Sequence, residues 1–245
     1  MAKLRPLAWL LLAAACLLLA PQTGGRAQTV PADLVDGGTA WIAGDFESAY
    51  ATASSQDTAA AQLLASRAAA DQAVYHSSDD TAALRRWLGL AEAAAQRALE
   101  LEPAGPYAVS AHLAWARARG EAARHAGLLD NLTVASELRR AFEAALVLRP
   151  DAADVLVAYG MWHLELSERG VGWLYGGRRD QVLPLVERGV SLEPERIDLR
   201  VEYALALQSL GMEEEAKEQL RIALALPAVT ASDAFEQERA RTMSR

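Results

Sequence analysis

Four histidines, His76, His112, His125 and His163, are the residues of this chain best suited to move a proton or hold a metal. A helical zinc site needs two of them on one face, typically i and i+4 with an acid between, and no pair here has that spacing. Asp79-Asp80 and Glu213 to Glu215 are dense in carboxylates, but each group stands where a helix is expected to begin, and the helix dipole favours negative charge there. No glycine-rich phosphate loop ending in Lys-Ser/Thr occurs, and no G-x-S-x-G elbow. The reading therefore expects no catalytic residue, no metal site and no cofactor. Asn131-Leu132-Thr133 matches a glycosylation signal that has meaning only in eukaryotic secretion.

One stretch is chemically unusual: "ERGVGWLYGGRRD", residues 168–180. Trp173 and Tyr175 lie inside a short apolar run bracketed by Gly170, Gly176 and Gly177, and Arg178 and Arg179 follow at once. Aromatics beside arginines have the composition of an interface hot spot. The same residues would equally suit a lid in which Trp173, Leu174 and Tyr175 fold back over a neighbouring helix pair, because exposed aromatic clusters are costly unless covered.

The elements that must position these residues are helices. Alanine and leucine dominate while valine and isoleucine are sparse, which favours helix over strand. Three phrases end alike, "ALELEP" (98–103), "ALVLRP" (145–150) and "GVSLEP" (189–194), with a shorter fourth, "ALALP" (223–227). Their opening small residues, Ala98, Ala145, Gly189 and Ala223, stand 47, 44 and 34 residues apart. Each phrase closes a helix on a proline, which cannot continue the hydrogen-bond ladder. The spacing predicts helices over 31–43, 46–54, 58–76, 81–101, 106–123, 133–148, 152–168, 179–192, 195–210 and 213–226. A last helix is expected over 231–243, capped by Ser232 or Asp233 and polar enough to close the array; a frayed tail is the other reading.

At Val201 to Pro227 the pattern resembles the tetratricopeptide repeat. Ala204 holds the small position of the first helix, Gly211 the turn, Ala216 and Ala223 the small positions of the second helix, and Leu220 the large position between them. Leu156, Tyr159 and Gly160 fit the preceding repeat, with His163 where an aromatic is usual, and "GDFESA" (44–49) resembles the family's turn and second-helix opening. In residues 106–120 either Ala111 or Ala114 can serve as the small residue. The 47- and 44-residue spacings equal 34 with insertions, which fall over 120–136 and around 168–180; from register alone these two loops would form a rim on one edge. The resemblance implies an all-α, right-handed superhelical solenoid of four to five antiparallel hairpins over residues 28–227, with a capping helix and tail over 228–245.

In that family the first helices line a concave groove. Carried over, the groove-facing residues are Tyr107, Ser110, Ala114 and Arg117; Asp154, Val157, Met161 and Glu165; and Asp198, Val201, Leu205 and Gln208. Such a mixed apolar and acidic lining suits a peptide or helix with basic side chains. Trp173, Tyr175, Arg178 and Arg179 are the expected partner-binding residues of the loop.

The N-terminus gives a compartment. Lys3 and Arg5 precede a 14-residue apolar run over 7–20, and Gly25-Arg26-Ala27 offers small residues to a signal peptidase. The run is short against the roughly 20 residues of a bilayer span, so cleavage near Ala27 and a periplasmic or secreted chain are expected, with no stable transmembrane segment afterwards. Cys16, the one cysteine, is flanked by Leu17 to Leu19, which continue the apolar run where a lipoprotein would open a polar tether. Cleavage removes Lys3, Arg5 and Arg26 and no acid, taking the formal charge from −8 to about −11, which disfavours nucleic acid. The function expected is an exported, non-enzymatic scaffold for a protein or peptide partner in the envelope of a Gram-negative bacterium. The second reading is a periplasmic solute-binding protein resembling the T component of TRAP transporters, with a small-molecule site lined by Met161, Trp162, Trp173 and Tyr175.

Overall fold

The computed structural model describes residues 32–125 and 133–245. The expected signal peptide, the cleavage point near Ala27 and Cys16 lie outside these residues, as does the middle of the 120–136 insertion. The described residues are helical with no strand. They fall into two compact units: one takes in the residues up to His125 with Val229–Ser232, the other residues 133–228 with Asp233–Arg245.

The first unit holds α1 (Ala32–Ala43), α2 (Phe46–Ser54), α3 (Ala59–Asp71), α4 (Thr81–Leu101) and α5 (Ala108–Arg124). Side chains start three of these: Asp45 accepts from the Ser48 N–H (3.1 Å), Thr58 Oγ1 from the Ala61 N–H (3.3 Å), and Asp80 from the Ala82 and Ala83 N–H groups (2.9 and 3.0 Å). Asp80 is thus a cap, as its place in the sequence predicts. α3 does not run on as an α-helix to residue 76; Gln72–His76 forms a π turn. Alanines let the helices approach: Ala61, Ala65, Ala68 and Ala69 on α3 and Ala91 and Ala95 on α4 are fully buried. The Ser66 hydroxyl donates to the Ala91 carbonyl (2.8 Å) across that contact. Ala111 is fully buried while Ala114 is only partly so, which makes Ala111 the small residue of α5.

The second unit holds α6 (Val134–Leu148), α7 (Ala153–Glu168), the single turn α8 (Gly172–Tyr175), α9 (Val182–Leu192), α10 (Ile197–Ser209), α11 (Glu213–Ala225) and most of α12 (Ala231–Met243). α7 packs with α9 and α10 with α11 as hairpins. The first approach is close enough to need glycine. A Cβ on Gly189 would meet the Ala153 carbonyl oxygen at 2.6 Å, and one on Gly160 would meet Val186 at the same distance. In the second hairpin Ala204, Ala216 and Ala223 are fully buried around Leu220, and Gly211 makes the turn with φ +80°. These are the positions and residue types that the repeat pattern assigns to close packing.

α12 is docked, not frayed. Ala240 is fully buried against the α10–α11 core, and Gln237 Nε2 donates to the Leu226 and Ala223 carbonyls (2.8 and 3.2 Å), satisfying the open end of α11. The helix begins at Ala231, as expected, which puts the expected cap residues, Ser232 and Asp233, inside its first turn. The Ser232 hydroxyl bonds instead to Asp71 (3.0 Å).

Candidate functional site

Two helices of the second unit that touch one another, α7 and α10, each carry a half-exposed stripe. On α7 the stripe runs Asp154, Ala158, Met161, Glu165, and on α10 it runs Asp198, Glu202, Leu205, Gln208. Six of these residues were expected on a groove. Val157 and Val201, expected beside them, are 2% and 0% exposed and belong to the core. Each helix is packed against neighbours on more than one side. The open arc is therefore narrow, and one residue, about 100° of rotation, moves a side chain off it. Ala158 and Glu202 take the places expected of the two valines.

The acids on this face are compensated within the unit. Arg196 forks onto Asp198 (2.8 and 2.6 Å) and donates to Glu193 (2.8 Å). Burial works against its charge, yet Asp198, Asp154 and Glu193 outweigh it and hold the guanidinium more firmly protonated than usual. Glu165 pairs with Arg169 (2.5 Å) and Glu202 with Arg239 (2.7 Å). Gln208 Nε2 reaches the Met243 carbonyl of α12 at 3.5 Å, so its amide is turned toward the cap. Among the paired groups stand apolar side chains: Ala158 and Met161 at the centre of the α7 stripe, and Leu205 next to Glu202 on α10.

In the first unit, Tyr107, Ser110 and Ala114 are half-buried and Arg117 is exposed on α5. Burial, reinforced by the Glu102 carboxylate, raises the Tyr107 hydroxyl above its usual range. Behind Arg117 sits Asp71, which accepts from Trp41 Nε1 (2.7 Å) and from Ser232. Desolvation raises its carboxyl above the usual carboxylate range against the opposing pull of Arg67, these two hydrogen bonds and Arg117. Arg67 also lies over the Trp41 ring, 4.6 Å from its centroid.

The loop after α7 is built from its glycines. Gly176, with φ +81°, ends α8 in the left-handed conformation, and the Gly176 and Gly177 N–H groups both donate to the Gly172 carbonyl (2.8 Å each). A Cβ on Gly177 would meet Leu166 Cβ at 2.7 Å. The Val171 N–H donates to the Leu166 carbonyl (3.0 Å), and the Arg178 N–H donates to His163 Nδ1 (3.0 Å). His163 is itself buried, its ring tilted against Tyr159 and edge-on to Trp162, with ring centroids 4.6 and 4.9 Å away. Sequence reasoning missed this role; the only signal was a histidine in a slot usual for an aromatic, one helical turn before the insertion.

The turn so fixed points its aromatic outward. Trp173 is 84% and Leu174 56% exposed, Tyr175 is half-buried, and Arg178 and Arg179 are exposed. For Trp173 and Leu174 the lid expectation fails, because the glycine-closed turn holds them on its outer side. Arg178 forks onto Asp180 (3.2 and 2.6 Å), and Arg179 donates to the Ser209 carbonyl (3.0 Å). Trp162, by contrast, is buried, its Nε1 donating to the Ala135 carbonyl (3.2 Å). Trp162 and Trp173 therefore do not line one small-molecule site with Met161 and Tyr175. Residues 126–132 of the other insertion lie outside the described part, so the rim expected from the two loops does too.

No group of three His, Cys, Asp or Glu is placed to hold a metal among the described residues, and no helix among them is long and apolar enough to cross a membrane. No protein-family model and no curated protein matches the sequence. Among solved structures the chain is similar to TTC0263, a thermophilic TPR protein of Thermus thermophilus. The identity is 15% and the TM-score 0.62, over 86% of this chain and 97% of that one. It is also similar to the MamA protein, at 15% identity and a TM-score of 0.42, over 86% of this chain and 94% of that one. The first likeness shows the fold: an all-α helical repeat of tetratricopeptide type.

Proposed function

We propose that this chain is an exported, non-enzymatic scaffold of the cell envelope that receives a protein partner on the face formed by α7 and α10. The observation that carries the reading is the pair of stripes, in which Met161 and Leu205 stand half-exposed beside Glu165, Asp198 and Glu202, acids already paired by Arg169, Arg196 and Arg239. Apolar side chains ringed by satisfied ion pairs make an interface core with a polar rim. Because the ladder of hairpins holds the face in shape before binding, little conformational entropy is lost when a partner docks. Export rests on Lys3 and Arg5, the apolar run over 7–20 and Gly25-Arg26-Ala27.

Two measurements on the full chain expressed in its own host test this. Fractionation should find the protein in the envelope or periplasm, and a photoreactive residue at position 161 should join it to one protein there. A chain retained in the cytoplasm removes the export half of the proposal. Capture of no protein, with a small molecule retained in native mass spectrometry, replaces the scaffold with a solute-binding function.

A further inference from the structure

We propose that the turn Gly172–Tyr175 is a preformed plug, with Trp173 and Leu174 at its tip, that enters an apolar hole rimmed by carboxylates on a partner protein. This goes beyond the α7–α10 face and can fail without it.

Chain reversal does not require the insertion. The last hairpin turns with three residues, Leu210 to Met212, whereas residues 169–181 separate α7 from α9. The added length is not slack, since two hydrogen bonds onto the Gly172 carbonyl, one onto Leu166 and one onto His163 fix its path. Three glycines are needed here: a Cβ on Gly172 would meet the Gly177 carbonyl oxygen at 2.7 Å, one on Gly177 would meet Leu166, and Gly176 holds the left-handed φ of +81°. That much construction ends in a tryptophan 84% exposed beside a leucine 56% exposed. A rigid tip loses little entropy on insertion, and a tryptophan seated in a desolvated hole is the commonest kind of interface hot spot.

The surroundings select the partner. Arg139, Arg169 and Arg178 flank the turn on a chain of net charge −8, and all three remain well exposed. Among the described residues each makes an ion pair with one carboxylate, Glu143, Glu165 or Asp180, and Arg139 also meets the Tyr159 hydroxyl, yet a guanidinium has five N–H donors. Carboxylates on the rim of a partner's hole would accept from the donors left over. A lipid surface fits less well. One tryptophan and one leucine bury less than the single acyl chain that by itself gives only marginal membrane binding.

The test places a photoreactive residue at position 174 of the full chain in its native envelope, then purifies the captured protein and measures its Kd by calorimetry at 50 and 300 mM salt. Trp173→Ala is expected to weaken binding at least about thirtyfold, and Arg178→Ala and the higher salt each severalfold. Leu174→Ala serves as a second variant, and circular dichroism should show both folded, because neither side chain is buried. The proposal is overturned if position 174 captures nothing, or if Trp173→Ala leaves the Kd unchanged. It also falls if the wild type binds phosphatidylcholine–phosphatidylglycerol vesicles, or dimerises in sedimentation, through Trp173. Capture from position 161 but not from 174 would remove the plug and leave the α7–α10 face standing.

Discussion

His163 concentrates most of what single residues do here. Burial, with the nearby Arg139 and Arg178 guanidiniums, pushes its imidazole down to about 4, while Asp180 and Glu143 pull the other way. The unfolded chain, with a histidine near 6.5, binds the proton first as pH falls. The stability that neutral His163 contributes is therefore full above about pH 6.5 and is lost as pH drops toward 4. Urea denaturation between pH 7 and pH 4 should show a fall of up to about 3 kcal/mol that His163→Gln removes; equal slopes in both proteins would refute it. None of this was visible in histidine spacing, because the partner of Nδ1 is a backbone N–H fifteen residues away. The small residues were more legible, since a repeat marks them by recurrence. Gly189→Ala drives a methyl against the Ala153 carbonyl oxygen, which cannot swing aside as a side chain can, and should cost about 1–3 kcal/mol in thermal or chemical unfolding.

Among elements, helix ends follow the sequence best where a capping acid or a proline marks them, as at Asp45, at Asp80 and before Pro103 and Pro150. α2, α4 and α12 begin and end at the predicted residues. α8 escaped, since one helical turn is too short to show a period. The outward face of α7 and α10 was read one residue off at Val157 and Val201, where the arc left open by neighbouring helices is narrower than the pattern implies. α12 carries a prediction of its own. Gln237→Ala leaves the Leu226 and Ala223 carbonyls without their donor and should destabilise the chain by about 1–3 kcal/mol. Truncation after Pro227 uncovers the apolar flank of α10 and α11 around Ile197, Val201 and Leu220, so light scattering should detect self-association at high concentration. A truncated protein that stays monomeric would show that α12 is not a cap.

For the molecule as a whole, the repeat was legible because a 34-residue spacing recurs once insertions are removed, and a repeat fixes local packing from neighbour to neighbour. The division into two units was not, since it falls at the 120–136 insertion, where the pattern of small residues gives no signal. The proposed export is also a matter for the whole chain. Intact mass of the protein from its host should place the N-terminus at Gln28, and a chain that still carries residues 1–27 would contradict cleavage. The central claim, that α7 and α10 receive a protein, is tested most directly by the affinity of the partner captured from position 161 for wild type and for Leu205→Asp. A charge in the middle of the apolar strip should raise the Kd at least about tenfold while leaving the helical content unchanged. A Kd equal to that of wild type would place the interface elsewhere and contradict the account.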